Sequence, residues 1–250
     1  MGVYNDLMFP TNDYHMFNQG INHEIIFKDS ADKNRFVAYL KAYLKDIADI
    51  YTKSVMPNHF HCVIKLKSKA KILKLIEKDK KTKKFVKKFK GRPKAYIASR
   101  IVSEKLRAFF ISYAQYFNGK HKRDGNLFRK SFRRALISNP IYLRNCIVYV
   151  DRNITNHFPN IDYKDYKWSD YSCFLDKTYI DSLAAFFDFY GLFGSIENFI
   201  KLHEKEPVKD TKTGNNKNEG KANSKAKDKG KSKNKNNKRR KNKSDDYLIE

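Results

Sequence analysis

The sequence is poor in cysteine and contains no long apolar run. Its three cysteines, Cys62, Cys146 and Cys173, match no disulfide framework among 250 residues. This pattern is typical of a reducing compartment with buried thiols, so we expect a cytoplasmic protein. No stretch of about 18 uncharged apolar residues occurs, and we expect no membrane-spanning helix. The first residues lack a basic stretch followed by an apolar one, so we expect no signal peptide.

Acidic residues are scarce relative to basic ones. The chain has 53 Lys and Arg against 27 Asp and Glu, a formal net charge of +26 at pH 7. Such a charge favours a polyanionic partner, nucleic acid before an anionic membrane surface. Aromatic residues make up 14% of the chain, and many stand beside basic residues. Unpaired bases can stack on such rings while cations neutralise the backbone. A ribosome-associated RNA-binding protein, or a merely basic soluble one, remains an alternative.

The composition changes near Pro207. The 38 residues from Pro207 to Ser244 have almost no apolar side chains and many lysines. A segment of this kind buries too little surface to offset its chain entropy. We therefore predict a domain over residues 1–206 and a disordered, lysine-rich tail over residues 207–250. The tail is expected to add sequence-independent attraction for phosphates, with a role in solubility alone as the alternative.

Periodicity predicts the elements of the domain. Predicted strands cover residues 14–21, 51–56 and 59–67, with a further strand pair or extended segment at 125–137. Predicted helices cover residues 32–51 with Asp32 as N-cap, 72–90, 95–119, 139–157 with Asn139 as N-cap, and about 179–203. Pro57-Asn58 marks a turn between the second and third strands. This order predicts an α+β fold with one antiparallel sheet and helices on one face.

Two histidines stand two residues apart in the third predicted strand. Because side chains alternate along a strand, His59 and His61 share one face, and Phe60, Cys62 and Ile64 share the other as core. Two imidazoles on one face can hold a metal ion. They can equally be two polar residues on a solvated face.

A second pair lies on the predicted helix after Pro140. Tyr149 and Asn153 are four residues apart, so a hydroxyl and an amide oxygen project from the same face. Tyrosine can act as a covalent nucleophile, and an amide oxygen can bind a metal ion. A half-buried tyrosine and a helix-end asparagine are the plain alternative. The remaining histidines have no spaced partner and receive no predicted role: His15, His23, His121, His157 and His203.

These segments carry a resemblance to a known family. "MPNHFHCVIK" resembles the histidine-hydrophobic-histidine (HUH) strand of the single-tyrosine transposases, and "YVDRN" resembles their catalytic helix. "YHMFNQGINHEIIF", "GNLFRKSFRRALI" and "YKWSDYSCF" resemble further family segments in the same order. Over residues 14 to 174 the chain is similar to the REP-associated tyrosine transposases. Two features differ from the family. Gln19 stands where an arginine is common, and the basic segment 74–94 is longer and richer in lysine than expected.

The resemblance implies a ferredoxin-like or RRM-like antiparallel sheet in an HUH endonuclease fold. It implies that His59, His61 and Asn153 bind Mg²⁺ or Mn²⁺ and that Tyr149 attacks the DNA. The activity implied is cleavage and rejoining of single-stranded DNA at hairpin, palindromic elements through a 5′-phosphotyrosine intermediate. A hairpin-binding protein that no longer cleaves is the alternative.

The basic segment at 125–137 supplies the expected DNA contacts. Arg129, Lys130, Arg133 and Arg134 are the best candidates in the domain for phosphate contacts, with a solvated strand face as the alternative. The expected partner is single-stranded DNA with hairpin structure, which implies association with the nucleoid. A homodimer is left open.

Overall fold

The computed structural model of the protein describes residues 7–129 and 132–205. The predicted tail therefore lies outside the described residues. The described strands are β1 (Asp13–Gln19), β2 (Ala48–Met56), β3 (His59–Leu66) and β4 (Arg133–Ile137). They form one antiparallel sheet in the order β2-β3-β1-β4. The predicted α+β class, the antiparallel sheet and the turn at Pro57-Asn58 are confirmed.

The described helices surround this sheet. They are α1 (Ser30–Leu44), α2 (Lys69–Leu73), α3 (Leu75–Lys78), α4 (Lys80–Val86), α5 (Lys94–Lys120), α6 (Pro140–His157), α7 (Lys177–Leu183), α8 (Phe189–Phe193) and α9 (Ile196–Glu204). No described helix combines the length and the apolar content that crossing a membrane requires.

Two apolar cores form on opposite faces of the sheet. Phe60, Cys62 and Ile64 pack with residues of α1 and α5, which confirms the predicted core face of β3. Val63 points the other way and joins a second core that includes Ile147 of α6. Helices therefore cover both faces of the sheet, and the second covered face was not predicted from the sequence.

The first predicted helix differs from the structure at both ends. Asp29, not Asp32, is the N-cap, since its backbone is extended and its Oδ1 accepts from the Asp32 N–H at 2.8 Å. Asp32 is instead buried and paired with Lys120. The helix ends at Leu44, not Tyr51, because residues from Ala48 onward pair with β3. Cross-strand hydrogen bonds and burial there outweigh the local helical spacing.

Two other predicted helices are broken into shorter ones. The predicted helix at 72–90 is interrupted at Asp79, whose extended backbone and side chain cap α4. The predicted helix at 179–203 is interrupted at Gly194, which has a φ of 81° that other residues rarely adopt. Ser195 then caps α9. By contrast, α6 begins as predicted, with Asn139 accepting from the Tyr142 N–H at 2.8 Å.

Candidate functional site

Helix α6 places its polar residues over the histidines of β3. The helix lies on the same sheet face as Val63, His61 and His59, and its apolar residues Ile147 and Ile154 bury against that side. Residues directly opposite one another on paired strands share a face, so His15 and Phe17 of β1 also face α6. One surface thus receives side chains from β1, β3 and α6.

A polar contact between β3 and α6 joins His59 and Asn153. His59 Nε2 lies 3.2 Å from Asn153 Oδ1. Burial lowers the pKa of His59 to about 4, so the ring is neutral near pH 7. A neutral imidazole carries one N–H, and here both ring nitrogens face an amide oxygen, Nδ1 at 2.6 Å from Asn58 Oδ1 and Nε2 at 3.2 Å from Asn153 Oδ1. In the tautomer with the proton on Nδ1, the Nε2 lone pair points toward Asn153 Oδ1, and a cation between them would satisfy both atoms.

His61 is held by a third histidine. His61 Nδ1 lies 2.8 Å from His15 Nε2, and the two rings stack with centroids 5.0 Å apart. These side chains are only 7% and 8% exposed. Burial lowers the pKa of His15 to about 4 and holds that of His61 well below its usual value. Neutral imidazole is the form that binds metal ions, and with Nδ1 engaged, Nε2 of His61 is the nitrogen left for a ligand.

The ring of Tyr149 packs at the edge of both rings. Its centroid lies 5.5 Å from that of His61 and 5.9 Å from that of His15. Tyr142, seven residues earlier on α6, is 39% exposed near the N-terminus of the helix. Tyr149 is thus in ring contact with both histidines.

Two of the three predicted metal ligands, His59 and Asn153, have the spacing that an octahedral divalent ion requires. In an octahedron with ligands at about 2.1 Å, neighbouring ligand atoms lie about 3.0 Å apart. The 3.2 Å between His59 Nε2 and Asn153 Oδ1 is close to that spacing. The Nδ2 atom of Asn153 is buried and has no hydrogen-bond partner among the described residues. Within the same part of the chain, no three His, Cys, Asp or Glu side chains converge as metal ligands, so an ion here would depend on Asn153 and on oxygens from DNA or water.

The structure separates the predicted DNA-contacting residues. Arg133 is the Cα partner of Phe17, which pairs with His61, so Arg133 faces the site. Arg134 pairs with Met16 on the opposite face, where its guanidinium lies 4.7 Å from the Phe132 ring centroid. Lys130 lies outside the described residues.

Arg129 is exposed and contacts Gln19. With its amide turned so that Oε1 faces the guanidinium, Gln19 accepts from Arg129 Nε at 3.0 Å and from Nη1 at 2.8 Å. Gln19 is the Cα partner of His59. The guanidinium of Arg129, in the segment before β4, is thereby held at the end of β1 nearest the site.

Two histidines with no predicted role adjoin the site. His15 contacts His61, and the His157 ring lies 4.7 Å from the His59 ring. The sequence does contain a signal for His157. It follows Asn153 by four residues, as Asn153 follows Tyr149, so all three lie on one face of the helix. No local signal marked His15, since only the pairing of β1 with β3 brings it to His61.

Two other residues of α6, Asp151 and Arg152, anchor the last described helix. Asp151 and His203 are fully buried, and His203 Nε2 lies 3.1 Å from Asp151 Oδ2. Thr52 of β2 donates to the other carboxylate oxygen. Arg152 donates to the backbone carbonyl of His203 at the end of α9. The motif "YVDRN" thus serves two purposes, with Tyr149 and Asn153 toward the histidines and Asp151 and Arg152 bonded to α9.

Comparisons with known proteins give likenesses to solved structures only. No protein-family model matches the chain, and no curated protein matches it. The solved structure of a REP-associated tyrosine transposase bound to a REP hairpin is similar in fold, with a TM-score of 0.46 and 13% sequence identity. The match covers 71% of this chain and 87% of that one. At this TM-score the likeness supports no function, which has to be inferred from the residues of the site.

Proposed function

We propose that this chain is a metal-dependent transposase or endonuclease that cleaves and rejoins single-stranded DNA at hairpin elements through a 5′-phosphotyrosine. The observation that carries the proposal is the convergence of four side chains on one sheet face. His59 Nε2 and Asn153 Oδ1 are 3.2 Å apart, and the Tyr149 ring lies at the edge of the His61 ring. The order of motifs along the chain, from "HFH" to "YVDRN", supports the same family.

The residues divide the reaction between them. His59, His61 and Asn153 would hold Mg²⁺ or Mn²⁺, which when bound polarises the scissile phosphate. The Tyr149 oxygen attacks phosphorus, the bond from phosphorus to the 3′ oxygen breaks, and the hydroxyl proton is transferred to solvent or to the leaving oxygen. The products are a 5′-phosphotyrosine and a free 3′-hydroxyl. Attack by a 3′-hydroxyl on that linkage rejoins DNA and restores the tyrosine, so no nucleotide cofactor is consumed.

The test is formation of a covalent adduct. Labelled single-stranded hairpin DNA is incubated with protein and Mn²⁺, separated on a denaturing gel, and the linked peptide is identified by mass spectrometry. Wild-type protein should give an adduct on Tyr149. Tyr149→Phe should give none, because it lacks only the attacking oxygen, and Tyr142→Phe should react as wild type does.

Two results would count against the proposal. A nucleotide on any residue other than Tyr149 would falsify the assignment of the nucleophile. Absence of any adduct with the wild-type protein, across several hairpins and both ions, would favour a hairpin-binding protein that does not cleave.

A further inference from the structure

The segment between β3 and α5 carries a dense positive charge that the site does not use. Twelve lysines and Arg92 lie between positions 69 and 94, with Glu77 and Asp79 as the acidic residues. All thirteen basic side chains are exposed. Within the described residues none of them is within ion-pair distance of a carboxylate, since Asp79 pairs with Lys105 of α5. We call residues 69–94 the basic platform.

The basic platform is an ordered part of the domain. Ile72 and Leu75 are buried in the core beneath α5. The Thr82 hydroxyl donates to Asp79 Oδ2 at 2.6 Å, which fixes the first turn of α4. The charges are therefore held in place by a folded scaffold. Like charges one turn apart, such as Lys80 and Lys84, destabilise a helix, so the fold bears an electrostatic cost that a bound polyanion would relieve.

The basic platform begins beyond the end of β3 that is farther from the candidate site, and its buried residues Ile72 and Leu75 pack in the core on the other face of the sheet. His59 begins β3 and Leu66 ends it, and the platform begins at Lys69. At about 3.3 Å per residue, the seven steps from His59 to Leu66 span about 23 Å. That length equals about seven base pairs of B-form DNA at 3.4 Å each. A single DNA molecule can reach both places only if it extends beyond the site.

The chemistry of the platform favours a phosphate backbone over bases. Lysine binds phosphate as a point charge and does not read base edges as a bidentate arginine does. The aromatic rings of the region are only half exposed and pack edge-to-face on one another, Phe85 on Phe89 and Phe89 on Tyr96. They therefore present few open faces for unpaired bases. A duplex, with one negative charge per about 1.7 Å of axis, matches closely spaced lysines best.

We infer that the basic platform binds the phosphate backbone of the paired stem of a DNA hairpin whose unpaired strand occupies the site at His59 and Tyr149. The inference rests on the proposed function for the identity of the DNA. The platform would therefore raise the affinity for hairpins with long stems, whatever the base sequence of the stem.

Two matched triple variants of the full-length chain test this. The platform variant is Lys83→Gln with Lys84→Gln and Lys87→Gln. The control is Lys177→Gln with Lys201→Gln and Lys205→Gln, three exposed lysines near α7 and α9. Both remove the same charge and keep the basic tail. Affinity is measured by fluorescence anisotropy across a salt series, for hairpins that share one unpaired segment and carry stems of about 5 or about 15 base pairs, chosen around the seven-pair span.

With the long stem, the platform variant should bind at least about tenfold more weakly than wild type. The salt slope, which is the slope of log affinity against log salt concentration, should become smaller in magnitude by up to about 2.7, since each lost phosphate contact contributes about 0.9. With the short stem, it should bind as wild type does, and the control should stay within about twofold on both stems. An equal loss for the control, or an equal loss on both stems, would overturn the inference. Tighter binding to an RNA stem of the same sequence would overturn the choice of DNA.

The adduct assay on the same hairpins separates the two proposals. If Tyr149 forms an adduct and the platform variant keeps full affinity for the long stem, the platform inference fails and the proposed function stands. If no DNA gives an adduct but the stem-length effect appears, the platform inference stands and the proposed chemistry fails.

Discussion

His59 Nε2 lies 3.2 Å from Asn153 Oδ1, although the two residues are 94 positions apart in the chain. One atom belongs to the start of a sheet strand and the other to the C-terminal part of a helix on the same face. With the His59 proton on Nδ1, beside Asn58 Oδ1, both atoms present a lone pair to one another. This contact is the point at which the fold could hold a divalent ion.

Removal of the amide should therefore weaken metal binding. We expect Asn153→Ala to bind Mn²⁺ at least about tenfold more weakly than wild type in a calorimetric titration without DNA, because one inner ligand is lost. Asn153→Asp keeps an oxygen at the same place and should retain binding. Asn156→Ala, an exposed position on the same helix, is the control. Wild-type affinity in Asn153→Ala would exclude the amide as a ligand.

The hydrogen bond between His15 and His61 should matter for the same ion. His15→Phe keeps a ring of similar size but leaves His61 Nδ1 without its 2.8 Å partner, so the imidazole can turn. Loss of such a supporting partner weakens metal binding by about 10- to 100-fold. His15→Gln can still accept a hydrogen bond and should restore part of the affinity. If His15→Phe and wild type bind Mn²⁺ equally, His15 has no positioning role.

The buried pair of Asp151 and His203 should contribute to stability more than any exposed residue of α9. His203→Leu leaves the Asp151 carboxyl without its partner in a fully buried place. Breaking a buried pair in this way costs about 3–5 kcal/mol. In a domain of this size the loss lowers the Tm by about 6–20 °C. Lys201→Ala, exposed on the same helix, should change the Tm little, and thermal unfolding followed by circular dichroism compares the two.

Arg133 and Arg134 are adjacent but should behave differently. Arg133 faces the site, so Arg133→Ala should weaken binding of single-stranded DNA and lower the salt slope by about 0.7, the value for one phosphate contact. Arg134 faces the other side of the sheet, beside Phe132, and Arg134→Ala should leave that slope unchanged. Anisotropy titrations of both variants on one oligonucleotide give the comparison. Equal effects of the two variants on the salt slope would show that the sheet face on which an arginine lies does not decide whether it contacts the DNA phosphates.

Local patterns in the sequence determined much of the sheet and of the candidate site. Alternation placed Phe60 and Cys62 in a core and His59 and His61 on the other face. Helical spacing placed Tyr149 and Asn153 one turn apart, and Asn139 began their helix. These features depend on residues within a few positions of one another, where backbone geometry alone fixes the direction of a side chain.

Tertiary structure decided where elements end and which side chains meet. The end of α1 at Leu44 depends on the pairing of Ala48 with Leu66, which no local spacing encodes. The contact of His15 with His61 depends on the register of β1 against β3, and the different positions of Arg133 and Arg134 depend on the pairing of β4 with β1. Asn153 meets His59 because α6 packs its apolar side against the sheet. Each of these follows from long-range burial and strand pairing, whose free energy outweighs local preference.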